Sequence, residues 1–129
     1  MIKQYLSTIY VRGARGPREY DCWGLARAVR HEVFGKSLLP SFGGICPQDK
    51  RSLTDACIDV RDTGGFHPVA PRPGAIATAW RASLCVHVGI CVEVDARLWV
   101  LESDEPCGPA LVALDRFEAR YTKVIYYDD

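Results

Sequence analysis

The sequence predicts an α+β domain with N-terminal helices packed on a five-stranded antiparallel β-sheet. Two observations carry this. Apolar residues recur at three- and four-residue spacing in the first half, and beyond residue 74 they gather into short β-branched or aromatic runs. Helices first and strands afterwards is the order of α+β rather than of alternating βαβ units. A chain of 129 residues is the size of one domain, and 48% apolar with 25% charged residues suits a folded core with a solvated surface.

The first ten residues suit a short helix or an extended arm. Residues 12–19 carry Gly13, Gly16 and Pro17 among charged side chains and read as a loop. Asp21 is a good N-cap for the clearest helix, in which Leu25, Ala28, Val29 and Val33 repeat on one face and Gly35 supplies a stop. Pro40, Gly43, Gly44 and Pro47 make 36–47 a loop. A second amphipathic helix spans 48–60, with Leu53, Ala56, Cys57 and Val60 on one side. A loop rich in Gly and Pro over 62–74 separates it from strands expected at 75–80, 84–94, 98–103, 110–114 and 123–127. Residues 115–120 should form a helical turn between the last two.

Charge narrows the functions. Lys and Arg number 16 and Asp and Glu 16, which excludes a nucleic-acid binder working by bulk positive charge. No apolar run reaches the roughly 18 residues that span a bilayer. The first five residues lack the basic region and apolar stretch of a secretory signal. The expectation is a chain made in the bacterial cytoplasm with no export address, no membrane insertion and no nucleic-acid partner. Cys22, Cys46, Cys57, Cys85, Cys91 and Cys107 are many cysteines for this length, and in that compartment free thiols are favoured over disulfides.

The segment Tyr20-Asp21-Cys22-Trp23-Gly24-Leu25 bears the most chemistry. A cysteine in the first turn of a helix meets unpaired backbone N–H groups and the positive end of the helix dipole. Both favour the thiolate, which is the nucleophile, and the same N–H groups can hold the oxyanion of a tetrahedral intermediate. The alternative is a half-buried structural cysteine beside an N-cap.

A thiol nucleophile needs a base, usually a histidine distant in sequence. His31 lies mid-helix between Arg30 and Glu32 and reads as a surface residue, and His67 sits in a loop. His87 interrupts the apolar strand Leu84-Cys85-Val86-His87-Val88-Gly89-Ile90, where alternation puts it on one face with Cys85, Gly89 and Cys91. Gly89 leaves room beside the imidazole for an approaching backbone or substrate. A hydrogen-bonded core histidine is the other reading. Cys85, His87 and Cys91 lack a fourth zinc ligand and match no usual metal-binding spacing, so neither a metal nor another cofactor is expected. No phosphate-cradling Gly-rich loop follows a strand.

In this order of motifs the chain resembles the NlpC-type cell-wall cysteine peptidases, and within them the short members encoded in phage tail gene clusters. The residues that carry the resemblance are Tyr10-Val11-Arg12-Gly13, Asp21-Cys22-Trp23-Gly24-Leu25, Arg72-Pro73-Gly74-Ala75 and His87-Val88-Gly89-Ile90, within a match over residues 5–127. The resemblance implies a minimal papain-like fold in which the Cys22 helix packs on the sheet bearing His87. It also implies Cys22 as nucleophile, His87 as general base, and Tyr10 beside the nucleophile in contact with substrate. The flanking Asp21 and Trp23 are expected at the substrate as well. The family's third residue, often a histidine that orients the base, aligns with Glu102 in Val100-Leu101-Glu102-Ser103, whose carboxylate can accept the imidazole N–H. Trp23 stands where stand-alone wall peptidases usually have serine, and Ala75 replaces the Asp that usually follows Pro-Gly.

The function this resemblance implies is hydrolysis of a peptide bond in the peptidoglycan stem, typically between D-γ-glutamyl and a diamino acid. The domain would be carried in a phage or prophage tail beside other tail-tip proteins. A tail-tip assembly subunit of the same fold with little or no activity is the rival reading. Other thiol chemistry on the same scaffold, by an amidase or acyltransferase, is a third.

Overall fold

The computed structural model describes residues 2–43 and 48–129. Helix α1 (Ile2–Leu6) leads into a two-residue strand β1 (Ile9–Tyr10), which pairs in parallel with β2 (Glu19–Tyr20) across the intervening loop. Helix α2 (Cys22–Glu32) begins where Asp21 caps it, Oδ1 accepting from the Gly24 N–H at 2.8 Å. Leu25 and Val29 are fully buried one turn apart on its inner face, each such aliphatic side chain stabilising the fold by about 1.5–3 kcal/mol. Asp49 caps α3 (Lys50–Thr63) in the same way through the Ser52 N–H, and Leu53, Ala56 and Val60 form its buried stripe.

Strands β3 (His67–Val69), β4 (Ile76–Arg81), β5 (Leu84–Val94), β6 (Arg97–Asp104), β7 (Gly108–Ala113) and β8 (Lys123–Asp128) form one antiparallel sheet. Its order is β3-β8-β4-β5-β6-β7, with helix α4 (Leu114–Ala119) between β7 and β8 in the chain. The α+β class and the run of strands after residue 74 are as the sequence predicts. The sheet has six strands rather than five, because residues 67–69, expected in a loop, pair with β8. A three-residue segment containing Pro68 shows no alternation, and an edge strand tolerates a residue without an N–H donor.

Helices α2 and α3 cover one face of the sheet and α4 the other. Val88, Ile90 and Val92 of β5 pack with the α2 and α3 side chains, whereas Cys91 joins Ala77, Ala79 and Phe117 on the α4 side. One irregularity decides where the neighbouring residues point. The β4–β5 register passes from Ala79↔His87 to Trp80↔Cys85, so Val86 is an extra residue, a β-bulge. Cys85 therefore turns to the α3 side with Trp80, while His87 stays with Gly89 and Cys91. The shared face expected of Cys85 and His87 is corrected by this bulge, since alternation assumes an unbroken pleat. Among the described residues no cluster of His, Cys, Asp or Glu has a metal-binding arrangement, and no helix is long and apolar enough to cross a membrane. Cys22, Cys57, Cys85, Cys91 and Cys107 carry free thiols, and Cys46 lies outside the described residues.

Candidate active site

Cys22 is the first residue of α2 and is buried. Its own N–H and that of Trp23 have no intrahelical acceptor, as at any helix start. The next two are taken, Gly24 N–H by the Asp21 side chain and Leu25 N–H by the Asp21 carbonyl. Gly24 is glycine for a steric reason. A Cβ there would run into the Ala14 carbonyl oxygen, so only glycine lets the first turn lie against the preceding loop. Asp21, expected at the substrate, lines the cleft that opens at Cys22 and spends both oxygens inside the protein. Oδ1 accepts from Gly24 N–H and from Arg15 Nη1 at 2.7 Å, and Oδ2 accepts from Gly13 N–H at 3.0 Å. At 1% exposed, it fixes the helix start and the loop before it.

His87 meets Cys22 where β5 and β6 part. Their ladder runs from Val94↔Arg97 to Ile90↔Leu101 and stops, so Glu102 and His87 meet through side chains rather than backbone. Gly89 sits at the parting. A Cβ on it would come within 2.5 Å of Val100 Cγ1 and 3.1 Å of the Leu101 carbonyl oxygen. The space beside the imidazole is thus taken by β6, which brings Glu102 alongside. His87 Nε2 lies 2.9 Å from Glu102 Oε1, with both residues buried. Facing a carboxylate, Nε2 carries the proton, and Nδ1 is the nitrogen left for the thiol. The Cys22 side chain is in hydrogen-bonding contact with the imidazole. Asp104 Oδ2 lies 3.7 Å from Nδ1, at the half-exposed end of β6.

Burial alone would drive the imidazole neutral. The hydrogen bonds to Cys22 and Glu102, with the Asp104 charge nearby, outweigh it and push the His87 pKa up to about 10. Burial pulls the Glu102 carboxyl upward, but hydrogen bonds from His87 and Arg120 hold it below the usual carboxylate range. Arg120 Nη2 donates at 2.7 Å to Oε1, the same oxygen that faces His87. Rings from the end of α4 flank the imidazole, Phe117 with its centroid at 6.1 Å and Tyr121 at 6.4 Å.

Tyr10 lies close enough to Cys22, Asp21 and Asp104 for their charges to act on its phenol. Its hydroxyl is shut off from solvent beside Gln48, and burial pushes its pKa up to about 12 against the lowering effect of the Gln48 hydrogen bond. A cleft opens at Cys22, lined by Arg15, Asp21, Trp23, Phe42, Leu53 and Val60 among others. Trp23 presents its ring to this cleft while its Nε1–H donates to the Pro40 carbonyl at 3.0 Å. Arg15 contributes little free charge, since its guanidinium also donates to the Ala14, Ser41 and Phe42 carbonyls. The cleft is therefore largely apolar.

The structure thus brings Cys22, His87, Glu102 and Tyr10 together, with Trp23 in the adjoining wall. His31 and His67 are exposed and remote, His31 Nδ1 lying 2.8 Å from the Lys36 carbonyl oxygen. Two residues at the site go unmarked in the sequence analysis. Asp104 lies two places beyond Glu102 on one strand, and alternation alone points to it. Arg120 arrives from the end of α4 through the fold, and no spacing in the sequence indicates it.

No family model matches the sequence, and no curated protein matches it. Among solved structures the chain is similar to an N-acetylmuramoyl-L-alanine amidase from Bacteroides uniformis, with a TM-score of 0.51. Identity is 15%, over 97% of this chain and 94% of that one, so the likeness is one of fold along nearly the whole length.

Proposed function

We propose that this protein is a cysteine-dependent hydrolase of bacterial cell-wall peptides, cutting the D-γ-glutamyl–diamino acid bond of the peptidoglycan stem from within a phage or prophage tail. The observation that carries the chemistry is the line Cys22, His87, Glu102: a thiol at a helix start, an imidazole against it, and a carboxylate 2.9 Å behind the imidazole. The proton that Cys22 gives up rests on His87 Nδ1, whose pKa stands well above neutral, and the sulfur attacks the scissile carbonyl carbon. The N–H groups of Cys22 and Trp23 hold the oxyanion. The imidazolium then gives its proton to the departing amine, leaving a thioester. Water, deprotonated by His87, releases the acid and restores the thiol. Cell wall as substrate is supported by the resemblance in the Asp21–Leu25 and His87–Ile90 motifs and by the amidase fold neighbour. The tail context comes from the resemblance to the short members of that family.

A second reading keeps these residues and changes the bond. The amidase neighbour favours cleavage of the N-acetylmuramoyl–L-alanine amide, which would free whole stem peptides. Mass spectrometry of purified sacculi after incubation with wild type and with Cys22→Ala decides. Wild type should release stem fragments ending in γ-glutamate, and Cys22→Ala none. Whole stem peptides would move the bond to the second reading. If no fragment appears from either folded protein, and Cys22 alkylates no faster than a free thiol, the chain is a structural tail subunit.

A further inference from the structure

The arrangement behind His87 contains a cation as well as a carboxylate. Glu102 Oε1 receives two donors, His87 Nε2 at 2.9 Å and Arg120 Nη2 at 2.7 Å. The Glu102 side chain is 7% exposed and that of Arg120 44%, so a buried anion is anchored to a cation at the rim. The guanidinium is held there by two rings, lying 5.1 Å from the Phe117 centroid and 5.5 Å from that of Tyr121. These are the rings that flank the imidazole. Arg120 thus sits in the packing that fixes His87, with its charge on the far side of the shared oxygen.

We propose that Arg120 is a positioning residue for the Cys22–His87 pair: it orients Glu102 and offsets its charge, so that the base is backed by a neutral Glu–Arg pair instead of a bare carboxylate. This rests on the reading of Cys22 and His87 as the reacting pair. The physical reason lies in the second half of the reaction. A buried, unshared carboxylate against Nε2 would hold the imidazolium so firmly that it became a poor acid toward the leaving amine. Sharing Oε1 with a guanidinium weakens that hold while keeping the ring oriented. The other groups facing the imidazole are Cys22 from α2, Asp104 from β6 and Tyr121 after α4. On its own strand the Cys85 thiol donates to the His87 carbonyl oxygen at 3.6 Å. Arg120 is the cation bonded to Glu102, while Arg81 stands over the Tyr121 ring at 5.1 Å, so removing Arg120 leaves the Glu102 carboxylate with His87 as its remaining charged partner.

The test is the titration of the His87 ring, followed by NMR of labelled imidazole, in wild type, Arg120→Gln, Arg120→Lys, Glu102→Gln and the Glu102→Gln/Arg120→Gln double variant. The pH profile of Cys22 alkylation by iodoacetamide runs in parallel. Arg120→Gln should move the His87 titration, and the alkaline limb of the profile, upward by about one pH unit, the scale of one partly screened charge at this range. Arg120→Lys keeps the charge and should restore the limb to near the wild-type position. Glu102→Gln should move it down, and the double variant should return toward wild type, because one neutral pair replaces another. A His87 titration unmoved in Arg120→Gln, with the fold intact by circular dichroism, overturns the proposal. So does a Lys variant that behaves like Gln. The titration reports on Arg120 whether or not sacculi are cut. Shifts as expected with unreactive Cys22 would leave the electrostatic pairing standing and remove the hydrolase reading.

Discussion

Gly89 shows how much of the site depends on one absent methyl group. Val100 and the Leu101 carbonyl occupy the place a Cβ would take, and Glu102 Cβ lies 3.6 Å from that same point. Gly89→Ala should therefore cost about 1–3 kcal/mol as an overpacked core position, lower the melting temperature, and slow Cys22 alkylation by shifting Glu102. His87 makes a second prediction, about pH. Its folded-state pKa of about 10 stands above the ordinary 6.5, so folding favours the protonated ring. The stability it contributes is complete below pH 6.5 and is lost as pH rises toward 10. His87→Gln should flatten denaturation free energy across that window, besides abolishing hydrolysis. Cys22 and His87 stand out as candidates in the sequence through local signals, a cap before a helix and a polar residue inside an apolar strand, and the family resemblance is what singles them out as a pair. Arg120 has no local signal, since its role depends on where α4 ends in space.

At the scale of elements, α3 is docked on the bulge in β5 by polar contacts as well as by its apolar stripe. Thr54 Oγ1 accepts from Cys85 N–H at 2.8 Å and donates to the Lys50 carbonyl at 2.7 Å. Lys50 Nζ donates to the Val86 carbonyl at 2.8 Å, and Cys57 Sγ lies 3.4 Å from Cys85 Sγ. A bulge takes backbone groups out of the strand ladder, and α3 supplies the partners it loses. Thr54→Val keeps the shape and removes the acceptor, so a buried N–H is left unpaired. The expected loss is about 1–3 kcal/mol, read from the denaturant midpoint. Hydrogen exchange at the Cys85 amide should accelerate with it, which separates this contact from general loosening of the core. The long elements were legible because α3 and β5 repeat their periods several times. The bulge was not, and neither were β1, β2 and β3, because two or three residues hold no period and a bulge breaks the alternation by which faces are read.

The whole molecule is tied together on the side away from the thiol by a buried arginine. Arg30 comes from α2, which reads in the sequence as an ordinary amphipathic helix, yet its side chain is 1% exposed. Nη1 donates to the Gly74 carbonyl at 2.6 Å, Nη2 lies 2.9 Å from Asp128 Oδ1, and the guanidinium sits 4.7 Å from the centre of the Phe66 ring. Arg72 Nε donates to the other Asp128 oxygen at 2.8 Å. The cysteine-bearing helix, the loop entering β4 and the last strand are thereby joined at one carboxylate. Burial raises the Asp128 carboxyl, but the bonds from Arg72 and Arg30 prevail and lower it from 3.8 to about 2. A folded-state value below the unfolded one means that this stability is present above pH 3.8 and is lost as pH falls toward 2. Asp128→Asn leaves Arg30 with only the half-exposed Asp129 carboxylate, 3.1 Å from Nη2, as counter-charge and should cost about 3 kcal/mol at neutral pH, the lower end for a broken buried pair. Wild type and variant should converge in stability as the solution is acidified through that window, because acid removes from the wild type the charge the variant lacks. A gap that stayed constant down to pH 2 would assign the loss to packing. A gap that closes assigns it to the charge that ties α2, and with it Cys22, to the end of the chain.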